Sequence, residues 1–205
     1  MPDYPTLWFW RSDSLMDGWN AVESFATDEH PHPSTIESNV RPTGADPFSR
    51  VSLNGQHLTV HVDHAHLPKA PSLWYLLINY NDMIGGVAAL MAFADKRFTD
   101  GTVLDADQFR LTGKTAADQV AAIKWRRSDA TIEQIYVANE FRRRGLAVKL
   151  INVADALVVA SRTDGYLNGG GHLTDDGAAL ASQWNHSARL SQRVGSYSPM
   201  DTQNS

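Results

Sequence analysis

The sequence predicts an α/β domain, because it contains both strand-like and helix-like patterns of apolar residues. Residues 131–137 are rich in β-branched and aromatic side chains, and from Leu146 onward the apolar residues recur at helical spacing. Residues 51–66 alternate apolar and polar side chains around Asn54-Gly55, which is typical of a β-hairpin. Residues 73–93 contain two further apolar runs separated by a polar turn, which indicates a second hairpin.

Composition and length favour one globular domain. Hydrophobic residues make up 42% of the 205 residues and charged ones 20%, and six tryptophans add apolar volume for a core. We assign residues 1–194 to one domain that contains a long polar loop at 28–50. Residues 195–205 are polar and are predicted to form a disordered tail.

The charge balance argues against two classes of partner. The net charge is −5, from 18 Lys and Arg against 23 Asp and Glu, so we expect no general electrostatic attraction to nucleic acid or to a membrane. The chain has no cysteine, which excludes disulfides, thiolate catalysis and cysteine-ligated metals. The first residues lack a secretory signal pattern, and no apolar run reaches the roughly 18 residues of a membrane span. These observations predict a cytoplasmic protein.

Three further segments are predicted to be helical. Large apolar residues between 14 and 27 recur at three- and four-residue spacing, so we predict a helix there with Ser12 or Asp13 near its N-cap. Residues 115–125 carry a weaker pattern of the same kind and are predicted to form a short helix or an insertion. Residues 174–187 begin with an N-cap signal and are predicted to form the last helix.

Half of the eight histidines lie within ten residues. Together with Asp63, their neutral imidazoles could bind a divalent metal. Along an extended strand, however, His57 and His61 lie about 13 Å apart, too far to share one ion without a bend. We therefore predict no metal site and interpret these histidines as the polar face of a strand, with the alternative that one of them faces a substrate. They are His57, His61, His64 and His66.

The junction at residues 138–147 combines a strand end, a basic turn and a helix start. Three consecutive arginines precede Gly145, and the helical pattern begins at Leu146. The first turn of a helix leaves backbone N–H groups unpaired at the positive end of the macrodipole, so this junction can bind a phosphate. A glycine also lets a bulky anion approach the backbone closely. The sequence of a P-loop or of a dinucleotide fingerprint is absent. The alternative is a solvated basic turn at the start of a core helix.

With its flanking strand and helix, Arg142-Arg143-Arg144-Gly145-Leu146-Ala147 resembles the cofactor motif of the GCN5-related N-acetyltransferases, Gln/Arg-x-x-Gly-x-Gly/Ala. The resemblance covers residues 131–160, with a weaker match in the hairpin at 73–93. It implies a mixed, largely antiparallel sheet flanked by helices. It also implies that the motif's amides hold the pyrophosphate of acetyl-CoA and that the preceding strand pairs with the pantetheine arm. The cofactor-binding residues implied in this way are Ile135, Val137, Arg142, Arg143, Arg144, Gly145, Leu146 and Ala147.

The resemblance implies transfer of an acetyl group from acetyl-CoA to a primary amine of a small molecule or a protein, by direct attack on the thioester. The attacking amine must be neutral, and Glu133 is the candidate general base. The alternative is that Glu133 is a solvent-facing strand residue or pairs with an arginine. Members of the family often carry a tyrosine that protonates the departing thiolate. The helix at 174–187 has no tyrosine, which leaves Tyr166 and Tyr197 as candidates.

Because that tyrosine is missing, two other functions stay open. One is a catalytically inactive protein of the same fold that binds coenzyme A or a protein partner. The other is a specialised enzyme that modifies a nucleobase, against which the acidic net charge of −5 argues. A homodimer is a further possibility that the sequence leaves open.

Overall fold

The computed structural model describes residues 7–16, 18–26, 34–38, 40–43, 46–80, 86–161 and 166–169. These residues form eleven strands and two α-helices. The strands are β1 (Leu7–Met16), β2 (Trp19–Ala26), β3 (Thr35–Glu37), β4 (Ser49–Asn54), β5 (His57–Val62), β6 (Trp74–Tyr80), β7 (Val87–Phe93), β8 (Thr102–Leu104), β9 (Ala121–Arg126), β10 (Thr131–Val137) and β11 (Asn168–Gly169). The helices are α1 (Ala106–Arg110) and α2 (Leu146–Ala160), and short 3₁₀ turns lie at Ala116–Asp118 and Asn139–Phe141.

All eleven described strands belong to one mixed sheet, in the order β11-β10-β9-β7-β6-β8-β5-β4-β2-β1-β3. The pairs β1–β3, β6–β8 and β10–β11 are parallel, and the other neighbours are antiparallel. The predicted fold class, an acetyltransferase-type α/β sheet flanked by helices, is therefore wrong. Among the described residues α2 is the one long helix, since α1 has five residues. Segments that the sequence patterns assigned to helices pair as strands instead.

The helix predicted for residues 14–27 is wrong, because this segment belongs to an antiparallel hairpin of β1 and β2. Trp8 lies opposite Phe25, and their rings stack with centroids 4.9 Å apart. These two residues share one face of the sheet, whereas Phe9 and Val22 join the core on the other face. Since both faces carry large apolar side chains, the period of two does not appear as an alternation of apolar and polar residues.

The short helix predicted for residues 115–125 is also wrong. A single 3₁₀ turn at Ala116–Asp118 is followed directly by β9, which lies between β7 and β10 in the sheet. Residues 121–123 of β9 are all buried. A strand covered on both faces reads as a continuous apolar run, which periodicity alone does not distinguish from a buried helix segment.

Four other predictions are confirmed. β4 and β5 form a hairpin around Asn54-Gly55, and β6 pairs with β7 along its whole length. β10 spans residues 131–137, and α2 begins at Leu146.

The loop predicted for 28–50 contains β3 and the first residues of β4. The turn at 81–85, the helix predicted for 174–187 and the tail at 195–205 lie outside the described residues.

α2 packs on one face of the sheet and is almost completely buried. Every residue from Val148 to Ala160 is buried, in a core shared with Val60 of β5 and Ile123 of β9. α1 lies on the opposite face, where Phe109 packs 5.2 Å from the ring of Phe93. None of the described helices is long and apolar enough to cross a membrane. Ala147, in the first turn, is the one residue of α2 that is not buried.

Candidate functional site

Glu133, the predicted general base, lies at a β-bulge in β10. Ile132 pairs with Trp125 and Gln134 pairs with Lys124, so the antiparallel ladder has no residue opposite Glu133. An extra residue of this kind bends the strand and re-aims its side chain, and bulges are common next to active sites. The sequence pattern of β10 contains no signal for this bulge.

The Glu133 carboxylate lies between two cations of β9. Oε2 is 3.4 Å from Lys124 Nζ, and Oε1 is 3.7 Å from Arg126 Nε. The Glu133 side chain is 33% exposed, so solvent and small molecules can reach it. The geometry agrees with the alternative that Glu133 pairs with an arginine, and its role as a base stays a prediction.

Among the described residues, the outer edge of β10 pairs with the short strand β11. That pairing joins Thr131 to Asn168 and Ile132 to Gly169. Ile135 is half-buried and packs against the core beneath α2, as does Val137 at the end of the strand. In general, an extended ligand can bind at a sheet edge as a further strand, through hydrogen bonds to the main chain.

The three arginines between β10 and α2 are all exposed. Arg142 Nε donates a hydrogen bond to Val137 O at 3.3 Å, and the Arg144 guanidinium lies 5.5 Å from the centroid of the Phe141 ring. Arg143 has a φ of 60°, a left-handed conformation that costs a residue with a Cβ roughly 1–2 kcal/mol. Backbone strain of this kind concentrates at ligand-binding sites.

Gly145 starts α2 with a backbone conformation that favours glycine. Its φ is 80° and its ψ is 7°, and no side chain caps the helix there. Lys149 N donates to Gly145 O at 2.9 Å, which is the first bond of the helical ladder. The amides of Leu146, Ala147 and Val148 precede that bond and lie at the positive end of the macrodipole. This start of α2, with the arginines beside it, can bind an anion.

Lys149 and Asp100 form a buried ion pair that the sequence analysis missed. Lys149 is 1% exposed, and its Nζ lies 2.9 Å from Asp100 Oδ1 and 3.1 Å from Pro71 O. Asp100 Oδ1 also accepts the Leu73 N–H at 2.6 Å, and Oδ2 lies 3.3 Å from His64 Nε2. The sequence does show a lysine among the apolar residues of a core helix, and a buried lysine requires a partner. That partner lies 49 residues away in sequence.

The turn at residues 64–67 links this ion pair to the start of α2. Leu67 N donates to His64 O at 3.1 Å. Leu67 Cδ2 lies 3.4 Å from the position that a Cβ on Gly145 would occupy. The loop after β5 is thus held against the amino end of α2, with Asp100 fixing one end of the turn and Gly145 contacting the other.

A second buried ionisable group, Asp155, lies toward the other end of α2. Complete burial raises the pKa of the Asp155 carboxyl to about 7, against the opposing effect of the Leu167 N–H, which donates to Oδ1 at 3.0 Å. Tyr166 lies near Asp155, and its hydroxyl is 2.6 Å from Thr35 Oγ1. Burial is the main reason that the pKa of Tyr166 is raised.

Tyr166 is one of the two tyrosines predicted as a candidate acid for the departing thiolate. Its neighbour Asp155 is about 14 Å along α2 from Leu146, at 1.5 Å per residue. The structure therefore does not bring Tyr166 to the start of α2. Tyr197, the other candidate, lies outside the described residues.

The clustered histidines do not converge on one point. His57 and His61 lie on β5, the His64 ring contacts Asp100, and the His66 ring stacks on Phe48 with centroids 4.4 Å apart. Among the residues that the structure describes, no group of three or more His, Cys, Asp or Glu side chains could hold a metal ion.

Comparisons with protein-family models, with curated proteins and with solved structures found no match. The resemblance at residues 131–160 is therefore a similarity of sequence motif, and these comparisons assign the chain to no family. In the described residues, an uncapped basic helix start follows the strand that carries an ion-paired carboxylate at a bulge.

Proposed function

We propose that the chain binds a coenzyme A thioester at the amino end of α2 and transfers its acyl group, acetyl in the simplest case, to a primary amine. One observation carries the proposal. α2 begins at Gly145 with a φ of 80° and no capping side chain, directly after three exposed arginines and just beyond the end of β10.

Two kinds of hydrogen-bond donor support binding of the pyrophosphate at this end of α2. The first amides of the helix point along the positive end of its dipole, and the guanidinium groups of the turn can add charge-assisted hydrogen bonds, each worth about 1.5–3 kcal/mol. The chain as a whole has a net charge of −5, so the attraction for a phosphate depends on this turn and not on the overall charge.

The edge of β10 supports a position for the pantetheine arm. β10 runs from the bulge at Glu133 to Val137, which contacts the basic turn through Arg142. Four residues of strand span about 13 Å. An arm extended along this edge from the pyrophosphate would carry the thioester toward Glu133. This arrangement supports the role of general base that the resemblance implies for Glu133. Because acyl-CoA donors are intracellular metabolites, it also favours the cytoplasm as the location.

A ligand series tests the proposal by calorimetry. We expect acetyl-CoA and coenzyme A to bind with similar affinity, because both carry the pyrophosphate. Pantetheine lacks the phosphates, and we expect it to bind at least about a hundredfold more weakly, since two charge-assisted hydrogen bonds are lost. Equal affinity for pantetheine and coenzyme A would exclude the start of α2 as the phosphate site. Binding without any acyl transfer would favour the inactive coenzyme A-binding protein.

A further inference from the structure

We infer that the amine acceptor also carries a carboxylate, so that the substrate is an amino-acid-like zwitterion and not a polyamine or a lysine side chain. This inference rests on the proposed function, because it concerns the acceptor that meets the thioester beside Glu133. It follows from the charges that surround that carboxylate on β9 and β10.

The corner formed by β9 and β10 is basic in a chain that is acidic overall. Lys124 and Arg126 flank Glu133 at 3.4 and 3.7 Å, and Arg127 follows directly in the sequence. Arg126 Nη1 also lies 3.2 Å from Asp129 Oδ2. Residues 124–133 therefore carry three cations and two carboxylates, whereas the whole chain has a net charge of −5.

Lys124 and Arg126 are accessible to a small molecule. Their neighbours on β9, Ile123 and Trp125, join the core beneath α2, so the two cations lie on the opposite face of the sheet. Their side chains are 37% and 41% exposed. The acceptor would thus approach from the face away from α2, where the Glu133 carboxylate also contacts these cations.

The ion pairs of Glu133 are loose enough to be exchanged. Charge-assisted hydrogen bonds between N and O measure about 2.7–2.9 Å, and the contacts to Lys124 and Arg126 are longer, at 3.4 and 3.7 Å. An acceptor with an ammonium group alone would meet two like charges as well as the carboxylate, and like charges repel. A carboxylate on the acceptor would bind the two cations instead, leaving Glu133 to pair with the ammonium.

The reaction then balances as follows. Glu133 takes one proton from the acceptor ammonium, and the neutral amine nitrogen attacks the thioester carbonyl carbon. A nitrogen–carbon bond forms, the carbon–sulfur bond breaks, and coenzyme A leaves as the thiolate. The nitrogen loses two protons in all, of which one ends on the coenzyme A sulfur and the other in solvent. Lys124 and Arg126 hold the acceptor carboxylate throughout.

The test compares amino acids with their amides, which keep the amine and lack the carboxylate. Release of coenzyme A thiol from acetyl-CoA is measured with each of the twenty standard amino acids, with the matching amides and with spermidine. For the best acceptor pair we expect kcat/KM to be at least about fivefold higher for the acid, the effect of roughly one ion pair. Lys124→Gln and Arg126→Gln should each reduce this ratio, whereas Arg110→Gln, which removes an exposed cation of α1 paired with Asp107, should not.

The outcomes separate the inference from the proposed function. Glu133→Gln should slow turnover of both the acid and the amide, since it removes the base. Turnover that is equal or faster with amides or spermidine would overturn the inference, and so would bound acetyl-CoA with no thiol release for any amine. In both cases coenzyme A binding would still stand. Failure of acetyl-CoA to bind the native chain would instead remove the proposed function itself.

Discussion

Lys149 Nζ lies 2.9 Å from Asp100 Oδ1, and this buried ion pair joins α2 to the segment that leads into β8. Removal of Asp100 leaves a lysine that is 1% exposed with Pro71 O as its remaining acceptor among the described residues. We expect Asp100→Ala to lower the free energy of unfolding by about 3–5 kcal/mol, measured by chemical denaturation, because a buried charge loses its partner.

The double variant Asp100→Ala, Lys149→Met separates the charge from the loss of contacts. It should recover part of the lost stability, since methionine fills the space of the lysine stem without a charge. Asp107→Ala, which removes an exposed partner of Arg110, should change stability far less. A double variant no more stable than Asp100→Ala would show that the unpaired lysine is not the cause.

Asp155 should make the free energy of unfolding fall as pH rises, whereas most carboxylates make it rise. Burial raises the pKa of Asp155 to about 7 in the folded chain, whereas an unfolded aspartate titrates near 3.9. Between these values the unfolded chain is ionised at this site and the folded chain is protonated. The contribution of Asp155 to stability therefore falls as pH rises from about 4 to 7, by about 4 kcal/mol in total, and is constant above that.

Asp155→Asn tests this pH dependence, because asparagine keeps an oxygen for the Leu167 N–H and cannot ionise. The difference in unfolding free energy between Asp155→Asn and the native chain should grow in favour of the variant from pH 4 to 7 and then level off. Denaturation curves at several pH values give this difference directly. A difference that is constant with pH would contradict the assignment of the raised pKa.

Gly101 should tolerate no side chain. Its φ is +87°, and an added Cβ would lie 2.4 Å from Val60 O, a backbone atom that cannot move aside without breaking the sheet. Gly101→Ala is therefore expected to destabilise the fold by about 4 kcal/mol or more. Gly113→Ala is the matched control, because Gly113 also has a positive φ, of +68°, but faces open space. That control should lose only about 1–2 kcal/mol, from the backbone conformation alone. Equal losses in both would contradict the steric explanation.

The predictions from sequence succeeded where the signal is local. β10 and α2 were predicted with their observed limits at Thr131, Val137 and Leu146, because strand composition and helical spacing are complete within a few residues. The turn at Asn54-Gly55 was predicted because two residues specify it. The basic start of α2 was likewise predicted from a few consecutive residues.

The predictions failed where contacts between distant residues decide the structure. β1 and β2 carry apolar residues on both faces, so their hairpin is specified by pairing such as Trp8 with Phe25 and not by local alternation. The extent of the sheet depends on registers that join distant strands, and the Asp100–Lys149 pair depends on a contact across 49 residues. The sequence shows the cations near Glu133, but it does not show the bulge that places Glu133 beside Lys124 and Arg126.

The most direct test of the account is calorimetric titration of acetyl-CoA into three proteins. The first is the native chain, the second is the double variant Arg144→Ala with Gly145→Glu, and the third is the control double variant Arg110→Ala with Gly113→Glu. The two double variants make the same changes in charge, each at an exposed arginine and a glycine with positive φ. We predict that the native chain and the Arg110 control bind alike, and that the Arg144 variant binds at least about a hundredfold more weakly, since it loses a donor and gains a repulsive charge. Equal binding by both variants, or no binding by the native chain, would contradict the proposal that the amino end of α2 holds the cofactor.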